Sequence, residues 1–213
     1  MPDSNIGSQG RTEPHLFERF SHSDARLLIE EHPLAWVTAP RSGAASLLPL
    51  VGVFDGDDRL TALIGHFARH NPLEQAFAGD PEATVLFTGP QGYISSDMAT
   101  RRNWAPTWNY AQLRIAAQVT LEPERTEEAL QVLLGKMEQG TALPWQISAL
   151  GDRYPGMLRQ IVGFRADVVK VDGRFKLAQD EDLETLRSII AKTPDRGLAR
   201  WMERLNRERL REG

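Results

Sequence analysis

The chain has 213 residues, 41% of them apolar, with a formal net charge of -4 and no cysteine. That length and composition suit one globular domain with a substantial core, and the lack of cysteine excludes disulfides, thiolate nucleophiles and cysteine metal sites. The small acidic excess argues against a broad electrostatic footprint for nucleic acid, and no apolar run reaches membrane-span length, so a soluble cytoplasmic protein is expected.

Residues 1–13 are rich in Ser, Gly and Asn and read as a disordered leader to a domain over 14–192. Ser21 or Ser23 can cap a short helix through about Glu31, with Leu27 and Leu28 buried, and Pro33 marks its end. Leu34 to Ala39 and Ala45 to Phe54 read as strands joined by a turn at Arg41 to Gly43. Asp55-Gly56-Asp57-Asp58 then signals a hairpin into a strand over Arg59 to Phe67.

That strand runs into Gly65-His66-Phe67-Ala68-Arg69-His70-Asn71-Pro72, the most informative stretch of the chain. Asn71 is a good N-cap and Pro72 suits the first helical position, so a helix is expected to about Phe77. The unpaired amides and positive dipole end of a first helical turn favour an anion. Arg69 adds a fork of donors, and His66 and His70 add imidazoles, so the segment suits a phosphorylated cofactor. Taken alone, the segment is better read structurally, with Arg69 a surface residue, Asn71 an ordinary cap and His66 a structural histidine.

Ala83 to Thr88 is a further buried strand, and Gly89-Pro90-Gln91-Gly92 predicts a turn into Tyr93-Ile94-Ser95. A polar loop with Arg101, Arg102 and Trp104 leads to a long half-buried strand over Thr107 to Glu122, where Trp108 and Tyr110 share one face. Pro123 opens a helix that packs Ala129, Val132, Leu133 and Met137 against the sheet. A short helix at Tyr154 to Ile161, a last strand at Val162 to Val171 and a helix at Asp180 to Lys192 follow. Residues 193–213 form a basic amphipathic helix, with Arg196, Arg200, Arg204, Arg207 and Arg211 beside an apolar stripe of Leu198, Trp201, Met202 and Leu205. Its ordinary fate is to dock on its own protein or a twin, with nucleic acid or another anionic partner as the rival. Many strands, few helices and no repeating βαβ units predict a mainly β, antiparallel Greek-key barrel with flanking helices.

Several blocks in order resemble the PaiB-type FMN-binding proteins: Leu48-Pro49-Leu50, the Gly65 to Pro72 stretch, Phe87-Thr88-Gly89-Pro90 with Tyr93-Ile94-Ser95, Pro106-Thr107-Trp108-Asn109-Tyr110, and Ile161-Val162-Gly163-Phe164 with Lys176-Leu177. The resemblance implies an FMN-binding split barrel, related in fold to pyridoxamine-phosphate oxidases, acting as a homodimer with a flavin in each interface cleft. It also implies the label of negative transcriptional regulator. On this reading Arg69, His70 and Asn71 take the phosphate, with His66 near the phosphate or ribityl chain. Leu48, Pro49 and Leu50 present backbone to the ring edge, and Thr107, Trp108 and Asn109 approach the ring from the second subunit.

The chain departs from that family pattern where members commonly carry histidines, having Leu47 before Leu-Pro-Leu and Gln91 after Gly-Pro. Asp97 and Met98 replace a usual aromatic pair. A pocket altered at these positions suits an FMN-dependent oxidoreductase of a small organic substrate, with Gln91, Tyr93, Arg101, Arg102 and Trp104 as substrate contacts and no metal. A flavin-binding transcriptional regulator using the Arg-rich tail is the alternative. A haem-handling split barrel drawing on His66, His70 or His32 is the weaker one.

Overall fold

The computed structural model describes residues 15–101 and 103–212; the expected leader and Arg102 lie outside the described residues. Helix α1 (His22–Glu31) starts at a capping box in which Ser21 accepts from the Asp24 amide and Asp24 accepts from the Ser21 amide. Four strands follow: β1 (Leu34–Ala39), β2 (Ala44–Pro49), β3 (Val51–Phe54) and β4 (Leu60–Ala68). Helix α2 (Pro72–Gly79) leads to the long strands β5 (Glu82–Ile94) and β6 (Thr107–Leu121). Helices α3 (Thr126–Met137) and α4 (Tyr154–Leu158) precede β7 (Ile161–Lys176), and α5 (Leu183–Lys192), α6 (Arg196–Leu205) and α7 (Arg207–Glu212) end the chain.

All strand pairs are antiparallel, in the order β2-β1-β5-β6-β7-β4-β3. The two edge strands are consecutive in the chain, separated by Leu50 alone, so the sheet curls until its edges meet there as a split barrel. Pro49 supplies the break, since it has no amide to donate, and the Leu50 amide returns to the Pro33 carbonyl at 2.9 Å. Leu50 is buried on the inner face, where its side chain and the Phe164 ring occupy the space that a Cβ at Gly65 would need.

Alternation fills that inner face with Ala35, Val37, Val85, Phe87, Leu113, Ile115, Phe164 and Ala166. The ends of the barrel are closed by helices. Leu73 and Phe77 of α2 enter the core, and α6 inserts Leu198, Trp201 and Met202, with Trp201 stacked on Phe175 at 5.9 Å. The apolar stripe of the tail helix is therefore folded into its own protein.

Some local expectations are corrected. Gly89-Pro90 is not a turn but a bulge inside one continuous β5: Thr88 faces Gln112 and Gln91 faces Tyr110, so two residues of β5 lie opposite Ala111. The extra residue reverses the side-chain phase. Thr84, Leu86 and Thr88 turn outward before it, and Gln91 and Tyr93 after it. Strand β7 continues past Val171 through Asp172-Gly173 to Lys176 because its ladder with β6 runs on that far, and the Phe20 ring lies where a Cβ of residue 173 would be. Met137 is exposed rather than packed, and Leu27 is only half-buried. No helix among the described residues is long and apolar enough to cross a membrane.

Candidate flavin site

Strand β4 ends at Ala68, and a tight turn closed by the Asn71 amide on the Ala68 carbonyl (2.8 Å) delivers the chain to α2. Asn71 caps the helix, its Oδ1 accepting from the Leu73 amide at 3.0 Å. The same oxygen accepts from the Ser46 hydroxyl of β2 at 3.0 Å, a contact that no local pattern announces. Arg69 is held in place by its own donors: its amide reaches the Gln160 carbonyl (2.9 Å), Nε the Arg159 carbonyl (3.0 Å) and Nη1 the Glu74 carboxylate (3.4 Å). The guanidinium stays partly exposed beside exposed His70. Arg159, which follows α4, brings its backbone carbonyl to this turn as an acceptor for Arg69, a contact that sequence reading missed because only the fold joins residues 69 and 159.

The edge of β2 above this turn is unpaired. Because Leu50 and Pro33 form a hydrogen-bonded pair, alternation along the ladder directs the amides and carbonyls of Leu48 and Ser46 toward β1. Those of Ala45 and Leu47, with the Pro49 carbonyl, point off the sheet. Donors and acceptors thus alternate along a free edge that ends beside a helix N-terminus. The side chains of Leu48 and Leu50 face the core, whereas Leu47 is exposed on the outer face opposite Trp36.

His66 pairs with Gly163 across β4 and β7. Its Nδ1 is buried without a hydrogen-bond partner among the described residues, and burial pushes its pKa below the ordinary histidine value. The ring is therefore neutral near pH 7. His32, at the C-terminal cap of α1, is likewise lowered by burial, and among the described residues no cluster of metal-ligating side chains occurs.

The fold gathers Gln91, Tyr93 and Trp108 on the outer face of β5 and β6, with Tyr93 and Trp108 edge-on at 6.1 Å. It separates Asn109 from them. That side chain is buried on the opposite face, its Nδ2 donating to Met202 Sδ at 3.2 Å. Thr107 lies at the strand's start and accepts from the Lys176 ammonium. Arg101 and Trp104 are fastened to the start of α5: Arg101 pairs with Asp182, and Trp104 Nε1 donates to Glu181 at 2.9 Å. Ser188 and Lys192 of α5 hold the carbonyls of Met98 and Asp97, so this loop is docked rather than free.

FMN joins a phosphate dianion to a flat apolar ring with a polar edge that carries acceptors and one donor. The first needs cations and amides; the second needs alternating backbone groups beside apolar surface. The start of α2 with Arg69, His70 and Ser46, and the edge of β2 beside Leu47, have the donor sets for both. An antiparallel split barrel with this unpaired edge beside a helix start defines a flavin-binding class of protein.

The family comparison agrees. Residues 13–170 match the family described as "Putative FMN-binding domain", and the chain belongs to that family, a group of FMN-binding split-barrel flavoproteins. The chain is 29% identical over 181 residues to the "Protease synthase and sporulation protein PAI 2" of Bacillus subtilis (strain 168), covering 83% of this chain and 86% of the relative. Among solved structures, the FAD and heme binding protein of Mycobacterium smegmatis superposes with a TM-score of 0.54 at 16% identity, covering 81% of this chain and 78% of that one. The flavocytochrome Anf3 of Azotobacter vinelandii gives 0.55 at 12% identity, covering 77% and 71%. At these identities the two structures share the fold with this chain.

Proposed function

We propose that this protein is a dimeric FMN-dependent oxidoreductase acting on a small organic substrate. The observation that carries the reading is the junction of the free β2 edge with the start of α2 through Ser46 and Asn71. Arg69, His70, Asn71 and the first amides of α2 hold the phosphate. The outward backbone of Ala45, Leu47 and Pro49 holds the ring edge, in place of the expected backbone of Leu48 and Leu50, which turns toward β1 and Pro33. Neutral His66 acts as a hydrogen-bonding group and not as a cation. The bound flavin supplies hydride exchange at its N5, so the protein needs no nucleophile or base of its own and contributes binding, orientation and exclusion of water.

The outer face of β1, β2 and β5 carries Leu34, Trp36 and Leu47 in the open, with Trp36 47% exposed. Such a patch suits a second copy of the chain, which would bring its Trp108 to the ring. Replacing Trp36 with Glu is expected to leave a monomer in light scattering.

The Bacillus relative is named for protease synthesis and sporulation, and a flavin-binding regulator is the competing reading. The tail weighs against direct nucleic-acid contact, because three of its six arginines are tied to groups of their own protein. Arg200 pairs with Glu31 (3.0 Å), Arg204 with Asp24 (2.6 Å), and Arg209 donates to the Gln179 carbonyl (2.9 Å). The test is direct. Purified protein should be yellow and release FMN on denaturation; anaerobic NADH or NADPH should bleach the flavin by reducing it, and an added electron acceptor should then restore the oxidised absorption. A colourless protein that does not take up added FMN overturns the reading, and salt-resistant DNA binding without flavin turnover favours the regulator.

A further inference from the structure

The bulge in β5 places Gln91 and Tyr93 outward beside Trp108 and Tyr110, and the result is a hollow of about 370 Å³ lined by Thr88, Gln91, Trp108, Tyr110 and Gln112. Its lining is mostly apolar and aromatic, with an amide at either side. Trp108 and Tyr93 are each 52% exposed, an unusual disposition for large aromatic side chains on a sheet.

Strand β7 sets Lys176 opposite Tyr110, on the same face. Neighbouring cations of β6 and β7 have acids: Arg114 and Lys170 share Asp172 (3.7 and 2.7 Å), Arg165 pairs with Asp167 (2.7 Å), and Arg174 reaches Glu18 at 3.9 Å. Lys176 differs. Its ammonium donates to the Thr107 hydroxyl, and among the described residues no carboxylate lies within ion-pair distance of it. Arg174 also donates to the Tyr110 hydroxyl at 3.0 Å, which fixes the phenol that borders the hollow. Lys176 and Thr107 do not line the hollow; the register puts Lys176 on the next strand beyond Tyr110, at its rim, and an ammonium without an acid at the rim of an aromatic floor is complementary to a flat molecule carrying one negative charge.

We propose that Gln91, Trp108, Tyr110 and Lys176 form a binding site for a small aromatic carboxylate. The ring lies against Trp108 and Tyr110, the carboxylate takes the Lys176 ammonium and the Thr107 hydroxyl, and the Gln91 amide reads a second polar group. As a substrate site it rests on the flavoprotein reading above, in whose dimer the hollow would face the cofactor of the second copy. As a binding site it stands without that reading.

The test uses full-length, FMN-loaded protein, with benzoate as probe and benzamide and acetate as controls for charge and ring, followed by tryptophan fluorescence and flavin absorption. Benzoate is expected to bind saturably, and each control at least about tenfold more weakly, the size of one charge-assisted hydrogen bond or one lost ring contact. Lys176→Met should weaken benzoate by about tenfold or more, with FMN affinity and melting temperature unchanged. Tyr110→Leu, at a lining residue with no part in the cofactor site, should weaken benzoate likewise through the ring, so the site is tested even where one variant folds poorly. Unsaturable benzoate binding, equal binding by Lys176→Met, or controls that match benzoate overturn the proposal. A loss of FMN affinity in Lys176→Met overturns it too, since the lysine would then belong to the cofactor. If the parent protein takes no FMN, the flavoprotein reading fails while tryptophan fluorescence still decides this site.

Discussion

The Ser46 hydroxyl of β2 donates to Oδ1 of Asn71, the residue that caps α2, across 3.0 Å. One side-chain oxygen therefore both terminates a helix and ties it to the edge strand of the sheet. The pair makes the geometry of the site a property of two elements at once.

Replacing Asn71 with Ala removes the cap and the tie together. Stability should fall by about 1 kcal/mol from the cap, and FMN affinity should fall with it. Ser46→Ala removes only the tie. Urea denaturation of both single variants and the double variant should show a sum smaller than the two parts, because Ser46 acts through Asn71. Full additivity would mean that the two residues do not communicate.

Arg69→Ala should leave stability nearly unchanged, since its ion pair with Glu74 is long and partly exposed. FMN affinity should instead drop by about tenfold or more, the usual size for losing one charged partner of a phosphate. Quenching of free FMN fluorescence measures it. An unchanged affinity would remove Arg69 from the phosphate site.

Gly163 is placed so that an added Cβ would lie 2.9 Å from Thr126 Cα, and its amide donates to Thr126 Oγ1 at 3.0 Å. Backbone cannot yield as a side chain does. Gly163→Ala should push α3 off the sheet at a cost of about 1–3 kcal/mol. Gly79→Ala, with nothing within 4 Å of the new carbon, is the control and should be neutral or mildly stabilising. Thermal melts of the two variants make the comparison.

Burial holds His66 below the ordinary histidine pKa of 6.5. The unfolded chain then binds this proton more readily than the folded one, so the contribution is intact above 6.5 and is lost as pH falls toward the folded value. Denaturation midpoints measured through the mildly acid range should decline in the parent and decline less in His66→Gln. Asp24 adds a separate limb at lower pH. Its burial opposes ionisation, but hydrogen bonds from Ser21 and Arg204 outweigh that and hold it below the ordinary aspartate range. Stability from Asp24 is lost only as pH falls through that lower value.

Helices were legible where the signal is local. Ser21, Asn71 and Asp182 each cap the helix that follows, because an oxygen two or three residues from an amide needs no distant partner. Strands were legible from apolar alternation, but their order was not, since pairing is chosen by residues far apart in sequence. Gly89-Pro90 has the composition of a turn and became a bulge because β6 runs past it unbroken. Asp172-Gly173 also looks like a turn, and the Phe20 ring explains the glycine instead. For the candidate site, the Gly65 to Pro72 stretch could be read as an anion grip from its own residues. Ser46 and the Arg159 carbonyl could not, because each reaches that grip only through the pairing and packing of segments far apart in sequence.

The bulge at Gly89-Pro90 has a consequence for how this chain can change. Side chains alternate along a strand, so the count of residues before Gln91 decides which way every later side chain points. Deleting one residue there would turn Ile94 to solvent and Gln91 and Tyr93 to the core. The aromatic hollow would vanish without any of its residues being substituted. If the hollow is the binding site proposed above, chain length at this one point sets specificity, and relatives that gain or lose a residue here should differ in what they accept even where the side chains agree.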